Sequence, residues 1–220
     1  MSNIKLVHSG GNSVSLTTPT SNPASNITFK LPQADGSASQ VLQTDGNGNL
    51  SWVTLPTGGL SEVDQWTFNT NIDSSMSDAF ITGTKFTRVS VNFNGGAAQI
   101  GTGMSYNSSN GEFTFPSTGK YLITLTGLGR PSTNDNMYMA VSVTTNDSTY
   151  IKALRIQIND NSGGKAKSSS NRYFFDVTNI STHKVKIYPW SIGSGSYWEG
   201  TATTSEGVLS NVLFQKVGDT

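Results

Sequence analysis

The sequence has 14 acidic side chains, and the reaction that a pair of them could catalyse is hydrolysis of a sugar chain. Cleavage of a glycosidic bond requires two carboxylates about 5 to 9.5 Å apart. The 14 acidic residues are scattered, and no two are adjacent in the chain. We therefore predict that the chain is not an enzyme and has no catalytic residue. A polysaccharide hydrolase stays open as a less favoured alternative, because folding could bring two acids together.

Metal ligands are also sparse. The chain has no cysteine, and His8 and His183 are far apart in the sequence, so we predict both to be surface residues rather than ligands. Asp135, Asp147 and Asp160 could bind calcium from loops, but the dense Asp/Asn/Gly spacing of a calcium loop is missing. The usual zinc-protease, nucleotide and serine-hydrolase motifs are missing as well. The sequence predicts no metal and no cofactor.

Four aromatic residues near the C-terminus are the best candidates for ligand binding: Tyr188, Trp190, Tyr197 and Trp198. If they are exposed, they could stack on the sugar rings of a host-surface glycan or on another receptor, because aromatic faces offer a large contact area. If they are buried, they simply fill the core, and this second interpretation is favoured. The Gly- and Ser-rich residues 191–196 predict a loop between them.

Composition limits the remaining classes of protein. Only 13% of the residues are charged and the formal net charge is zero, so the positive field that attracts nucleic acid is missing. No apolar run approaches the roughly 18 residues that span a membrane, and residues 1–9 lack the apolar core of a signal peptide. We predict no nucleic-acid binding and no membrane insertion, and we expect assembly in a cytosol.

The candidate residues lie in a pattern of short strands. After residue 60, apolar alternation recurs at intervals of about ten residues between Gly, Asn and Ser turns, which is typical of an antiparallel sandwich or jelly roll. Val89, Val91 and Phe93 share one strand face, and Phe113 and Phe115 share another. The predicted fold is all-β, with a jelly-roll head over residues 61–220. The predicted strands are 65–69, 86–93, 104–106, 111–115, 120–128, 138–144, 150–158, 173–179, 184–190 and 208–217.

The predicted strand 120–128 has apolar or weakly polar residues on both faces. Such a strand is expected where one face meets the core and the other meets a neighbouring subunit. We predict that one face of this strand, with residues of the last strand, forms the interface of a homotrimer. The predicted interface residues are Tyr121, Ile123, Leu125, Val212 and Phe214.

Residues 1–60 form a separate region that ends in a Pro/Gly-rich stretch. Within it, Asp45-Gly46-Asn47-Gly48 supplies the positive φ values of a tight hairpin turn. Few large apolar residues accompany this turn, so the region alone cannot offset an ordering entropy of roughly 1.5 kcal/mol per residue. We predict a small N-terminal β-hairpin segment that gains its missing burial from other copies of the chain or from a docking surface.

Residues 106–125 carry a family resemblance. Asn110, Gly111, Phe113, Pro116, Gly119 and Tyr121 match, position for position, a motif of the globular-head family of complement and tumour-necrosis-factor ligands, which this stretch resembles. Residues 27–52 are similar to a stretch of phage fibre and other virion structural proteins, where it precedes a receptor-binding or decorating head. Both resemblances imply threefold assembly, and the second implies a place on a virion.

The predicted function is therefore that of a non-enzymatic homotrimer on the surface of a bacteriophage virion, as a short fibre, spike or capsid decoration. Residues 1–60 would attach it to other capsid or tail proteins, and the head would face outward, where it could bind a host receptor. A carbohydrate-binding module is the alternative from another class. Capsid decoration and tail fibre are not separated at this point, and neither are host and receptor.

Overall fold

The computed structural model describes residues 4–17, 19–54, 59–89, 99–132, 134–160, 165–200 and 208–220. Val91 and Phe93 of the predicted strand 86–93, residues 55–58 of the predicted boundary and the side chain of Asp160 lie outside this description. Contacts divide the chain into Met1–Gly58, which we call the N-terminal unit, and Gly59–Thr220, which we call the head.

Two antiparallel hairpins make up the N-terminal unit. Strand β1 (Ile4–Val7) pairs with β2 (Ser13–Leu16), and β3 (Gln40–Thr44) pairs with β4 (Leu50–Thr54). The second turn has the predicted chemistry: Gly46 and Gly48 have φ of +82° and +86°, and the Asp45 carboxylate accepts a hydrogen bond from the Asn47 amide at 2.8 Å. None of the described residues of this unit is buried, so it has no core of its own.

The described part of the head consists of antiparallel strands and one short 3₁₀ helix, Ser74–Met76. Its strands are β5 (Val63–Phe68), β6 (Ile72–Asp73), β7 (Phe86–Arg88), β8 (Gln99–Ile100), β9 (Ser105–Asn107), β10 (Glu112–Thr114), β11 (Gly119–Arg130), β12 (Asp135–Thr144), β13 (Ile151–Asp160), β14 (Lys167–Val177), β15 (Lys184–Trp190), β16 (Tyr197–Trp198) and β17 (Asn211–Gly218). The predicted all-β, antiparallel fold with an N-terminal hairpin segment is confirmed. No helix in the described residues is long and apolar enough to cross a membrane.

The strands form two sheets. The five-stranded sheet has the order β13-β12-β15-β10-β9. In the eight-stranded sheet, β11 pairs with β14 along one edge and with β17 and β16 along the other, β5 follows β17, and β7 and β8 both pair with β5. The C-terminal strand β17 therefore lies between the first strand of the head and β11.

The motif residues 110–121 form the turn between β9 and β10 and the connection from β10, in the five-stranded sheet, to β11, in the eight-stranded sheet. Gly111 has φ of +75°, and a Cβ at this position would lie 2.3 Å from the carbonyl oxygen of Ile81, so only glycine fits. The following alternation sends Phe113 and Phe115 into the core. Gly119 begins β11 at φ of +146°, and the buried Tyr121 donates its hydroxyl to the Ser117 carbonyl at 3.1 Å.

The hydrophobic core lies between the two sheets, and the predicted trimer residues belong to it. Tyr121, Ile123, Leu125, Val212 and Phe214 are at most 1% exposed in the single chain. A side chain with no accessible surface cannot contact a second copy, so these five are core residues of one head. Any interface on these strands must use the alternate, outward side chains.

Two glycines of β11 let the sandwich close around Trp198. A Cβ at Gly127 would lie 2.5 Å from Cε3 of Trp198 and 2.7 Å from Cδ1 of Ile156, and a Cβ at Gly129 would lie 2.2 Å from Cδ1 of Ile158. Trp198 itself is completely buried. The small residues of β11 thus make room for the indole of one sheet and the isoleucines of the other.

We expect Gly127→Ala to lower the free energy of unfolding by about 1 to 3 kcal/mol, because the added methyl group overpacks a filled core. The matched control is Gly218→Ala, where an added Cβ meets nothing within 4 Å. Urea denaturation followed by tryptophan fluorescence compares the two variants. Equal stability of Gly127→Ala and the unmodified protein would contradict this packing.

Candidate ligand-binding surface

An aromatic surface covers part of the outward face of the five-stranded sheet. Along β15, Val185, Ile187 and Pro189 point into the core, so Tyr188 and Trp190 point outward and are half-buried. Tyr138 of β12 lies directly opposite Trp190 in the register of the two strands. The loop residues Phe80 and Tyr150 lie beside these three rings. We call the set of five the aromatic surface: Phe80, Tyr138, Tyr150, Tyr188 and Trp190.

The five rings contact one another. The rings of Tyr138 and Trp190 are stacked, with centroids 5.0 Å apart and planes 10° apart. Phe80 meets Tyr188 edge-on at 5.3 Å and Tyr150 at 5.4 Å. Backbone hydrogen bonds from Asp78 and Ile81 to β15 hold the loop that carries Phe80 against this strand. The surface is therefore built by two strands and two loops rather than by one stretch of sequence.

Cations lie over these rings. Nζ of Lys152 is 4.2 Å from the ring centroids of both Tyr188 and Trp190, and the Arg155 guanidinium is 5.9 Å from the ring of Tyr138. Ala140 and Ser142 are the small, buried residues of β12 between these groups. Their size leaves the space that the Lys152 side chain crosses to reach the rings of β15.

Glu112 closes one end of the aromatic surface. Its Oε1 accepts a hydrogen bond from the Tyr150 hydroxyl at 2.7 Å and lies 3.4 Å from Nζ of Lys186, while Oε2 accepts from Asn110 at 2.6 Å. Burial alone would raise the pKa of Glu112, but these hydrogen bonds and the charge of Lys186 outweigh burial and lower it. Burial, together with the bond to Glu112, raises the pKa of Tyr150.

The structure divides the four aromatic residues singled out in the sequence. Tyr188 and Trp190 belong to the aromatic surface, whereas Trp198 is completely buried and cannot contact a glycan. Tyr197 is half-buried in β16, which belongs to the other sheet. Sequence reasoning missed Phe80, Tyr138 and Tyr150. Alternation along β12 was a usable signal for Tyr138, but the two loop residues carried none.

Histidines and acids do not form a metal site in the part of the chain that the structure describes, where no three such residues gather. His183 is buried, not at the surface as predicted, because its ring stacks on Phe175 at 5.5 Å. The buried Asp64 forms a two-pronged ion pair with Arg88, at 2.8 and 2.9 Å, and accepts the indole N–H of Trp66. Its carboxylate is thus fully engaged in structure.

The outward face of the eight-stranded sheet has a different character. Where β5 and β17 run beside residues 122–126 of β11, their outward side chains are uncharged, and the exposed Lys120 stands at one end of this stretch. We call this set the uncharged face: Val63, Gln65, Asn211, Leu213, Gln215, Leu122, Thr124 and Thr126. Phe174 of β14 and Ile100 of β8 flank it in register and are 62% and 49% exposed.

Comparisons with known proteins place the fold. No family model and no curated protein matches the sequence. Among solved structures, the Eiger tumour necrosis factor of S. frugiperda superposes with a TM-score of 0.51 at 11% identity, over 72% of this chain and 93% of that one. The head has the jelly-roll fold of a tumour necrosis factor. The predicted resemblance is confirmed at the level of fold.

Two further solved structures match less well. Murine APRIL at pH 5.0 has a TM-score of 0.48 at 11% identity, over 71% of this chain and 98% of its own. The globular domain of zebrafish complement 1qA has a TM-score of 0.41 at 12% identity, over 74% of this chain and all of its own.

We expect Glu112→Gln to be less stable than the unmodified protein at pH 7 by about 1 kcal/mol, because the ion pair with Lys186 is lost. The folded-state pKa of Glu112 is lowered, so its stabilising contribution is present above the unfolded pKa, about 4.5, and disappears as the pH falls through the folded value. The difference in stability between the two proteins should therefore shrink toward pH 3.

Urea denaturation at pH 7 and pH 3 measures this difference, with Asp219→Asn, a substitution of an exposed acid, as the control. A difference that stays constant with pH would contradict this assignment.

Proposed function

We propose that this chain is a non-enzymatic structural protein on the surface of a bacteriophage virion, where three copies form a short fibre, spike or decoration. In this proposal the N-terminal unit attaches to other capsid or tail proteins, and the head faces outward and contacts a glycan of the host surface. The observation that carries the proposal is the uncharged face of the eight-stranded sheet.

The uncharged face supports association of identical chains. Charged residues are depleted at the centre of protein interfaces, and the centre of this face has none, because Lys120 of β11 stands at its end. Charges of this sheet stand at its border instead, such as Arg172 and Asp176 on the edge strand β14. The exposed Phe174 and Ile100 add apolar surface at two edges of the face. An obligate interface of about 2,000 Å² or more would use this face around a threefold axis.

The N-terminal unit supports attachment to a partner. Ile4 pairs with Leu16 and Leu6 pairs with Val14, so one face of the first hairpin is entirely apolar. These four side chains are 65 to 71% exposed. An isolated two-stranded hairpin is marginally stable at best in water, so this face requires cover from other virion proteins or other copies of the chain.

A carbohydrate-binding module remains the second candidate, and the aromatic surface is the observation that favours it. A hydrolase has less support than a carbohydrate-binding module, because two of the described acids are held in structural contacts. Asp64 is buried and held by Arg88, and Glu112 is held by Tyr150 and Lys186. Neither carboxylate is available as a general base or nucleophile in this arrangement.

We expect Leu213→Arg to convert the trimer into monomers, a threefold fall in mass, because a charge buried at the centre of an uncharged interface would be left without a partner. Leu213 lies on the central strand of the uncharged face and points outward. The control is Gln157→Arg, a half-buried position on the outward face of the other sheet. Sedimentation velocity distinguishes the species. A Leu213→Arg protein with the mass of the unmodified one would contradict the interface.

We expect the protein to be present on purified particles of the phage that encodes it, and the double substitution Leu6→Asp/Val14→Asp to remove it from them. Ser15→Asp, on the opposite face of the same hairpin, should leave it in place. Immuno-electron microscopy with antibodies to the head reads the outcome. If the free protein also blocks adsorption to the host it belongs to the tail, and if adsorption is unaffected it is a decoration. Absence from purified particles would refute the virion role.

A further inference from the structure

The ring faces of Tyr188 and Trp190 are already occupied within the chain. One ammonium group, that of Lys152, lies 4.2 Å from both ring centroids, and Trp190 is also stacked on Tyr138. A neutral sugar that binds by stacking needs an open aromatic face. What the aromatic surface presents to solvent is therefore positive charge held above rings, rather than free rings.

Two of these cations have no acidic partner among the residues that the structure describes. Lys152 and Arg155 are exposed, and neither forms an ion pair with a carboxylate in the described part of the chain. Lys186, in contrast, is paired with Glu112. On the outward face of β10, β12, β13 and β15, the described charges are the carboxylate of Glu112 and four cations: Lys152, Arg155, Lys184 and Lys186. This face is positive although the whole chain has a formal net charge of zero.

The rings also fix the positions of these cations. Cation–π contact orients the Lys152 and Arg155 head groups, and a group that is held in its bound position loses less entropy when a ligand arrives. The hydroxyl groups of Tyr138 and Tyr188 have no hydrogen-bond partner among the described residues and lie in the same surface. Fixed cations beside free hydroxyl groups match a ligand that carries both acidic groups and many hydroxyl groups.

We propose that the surface formed by Lys152, Arg155, Tyr138, Tyr188 and Trp190 binds an acidic saccharide, with the two cations contacting its carboxylate or sulfate groups. This inference rests on the proposed glycan contact of the head and names the chemical class of that glycan. Charge-assisted hydrogen bonds from Lys152 and Arg155 supply the affinity, and the tyrosine hydroxyl groups contact the sugar hydroxyl groups. Nucleic acid shares the negative charge but lacks this density of hydroxyl groups.

The test uses the full-length protein with four immobilised probes: polygalacturonate as the carboxylated saccharide, dextran sulfate as the sulfated one, dextran as the neutral one and a dT20 oligonucleotide as the phosphate polymer. Biolayer interferometry measures the affinity for each. We expect binding to polygalacturonate, to dextran sulfate or to both, weakening as salt rises, and the pair distinguishes the two acidic groups. Equal binding to dextran, or equal or tighter binding to dT20, would overturn the proposal.

The decisive variant is Lys152→Met/Arg155→Gln, which keeps the length of both side chains and removes their charges. We expect it to bind the acidic saccharide about tenfold more weakly or worse, because the charge-assisted contacts are lost. Lys30→Met removes a charge from the N-terminal unit and should bind as the unmodified protein does. Loss of binding in both variants to the same degree, or in neither, would refute the site.

Failure of this inference can be separated from failure of the proposed function. The double variant changes only exposed residues of the five-stranded sheet, so its mass in solution and its incorporation into virions should equal those of the unmodified protein. A protein that assembles on virions but ignores acidic saccharides would refute the saccharide site alone. Loss of assembly in the double variant would show that these cations are structural and would also refute the saccharide site.

Discussion

Within the described residues, a single head covers only one face of its larger sheet, and the other properties of the molecule follow from this constraint. In an antiparallel strand, successive side chains point to opposite faces. Along β11, one set, from Tyr121 to Leu125, fills the core, and no described helix or sheet covers the alternate set. Because that second set is uncharged in the middle of the sheet, contact with another protein surface is the arrangement that its chemistry favours.

The outward face of the five-stranded sheet is covered in a different way. The outward faces of β12 and β15 are covered by the side chains of the chain itself, since Lys152, Arg155 and Lys186 lie over the rings of the aromatic surface. Long cationic side chains can shield apolar rings while their charges stay in water. One face of the sandwich is thus suited to association with copies of the chain, and the opposite face is suited to a charged, hydrated ligand.

Local chemistry predicted from the sequence agreed with the structure wherever a few neighbouring residues determine the conformation. The turn at Asp45 and the shared strand face of Phe113 and Phe115 are of this kind. The prediction failed for the trimer residues because alternation shows that β11 has two faces but not which one meets the core. That choice depends on the side of β11 against which the five-stranded sheet packs, and its strands β12, β13 and β15 follow later in the sequence.

The aromatic cluster shows the same limit. Trp190 and Trp198 are eight positions apart and chemically identical, yet one is outward and the other is fully buried. They differ because β15 joins the five-stranded sheet and β16 joins the eight-stranded one, where Gly127 and Gly129 leave room for an indole. Neither sheet membership nor the approach of Phe80 and Tyr150 to Tyr188 can be deduced from spacing, since each results from contacts between distant segments.

The mass of the unmodified protein in dilute solution, measured by size-exclusion chromatography with light scattering, tests most directly whether the uncharged face is shared between copies. If three copies share the uncharged face, the measured mass is three times the chain mass of 23.4 kDa and is retained on dilution. A stable, fully ordered particle of 23.4 kDa would contradict it.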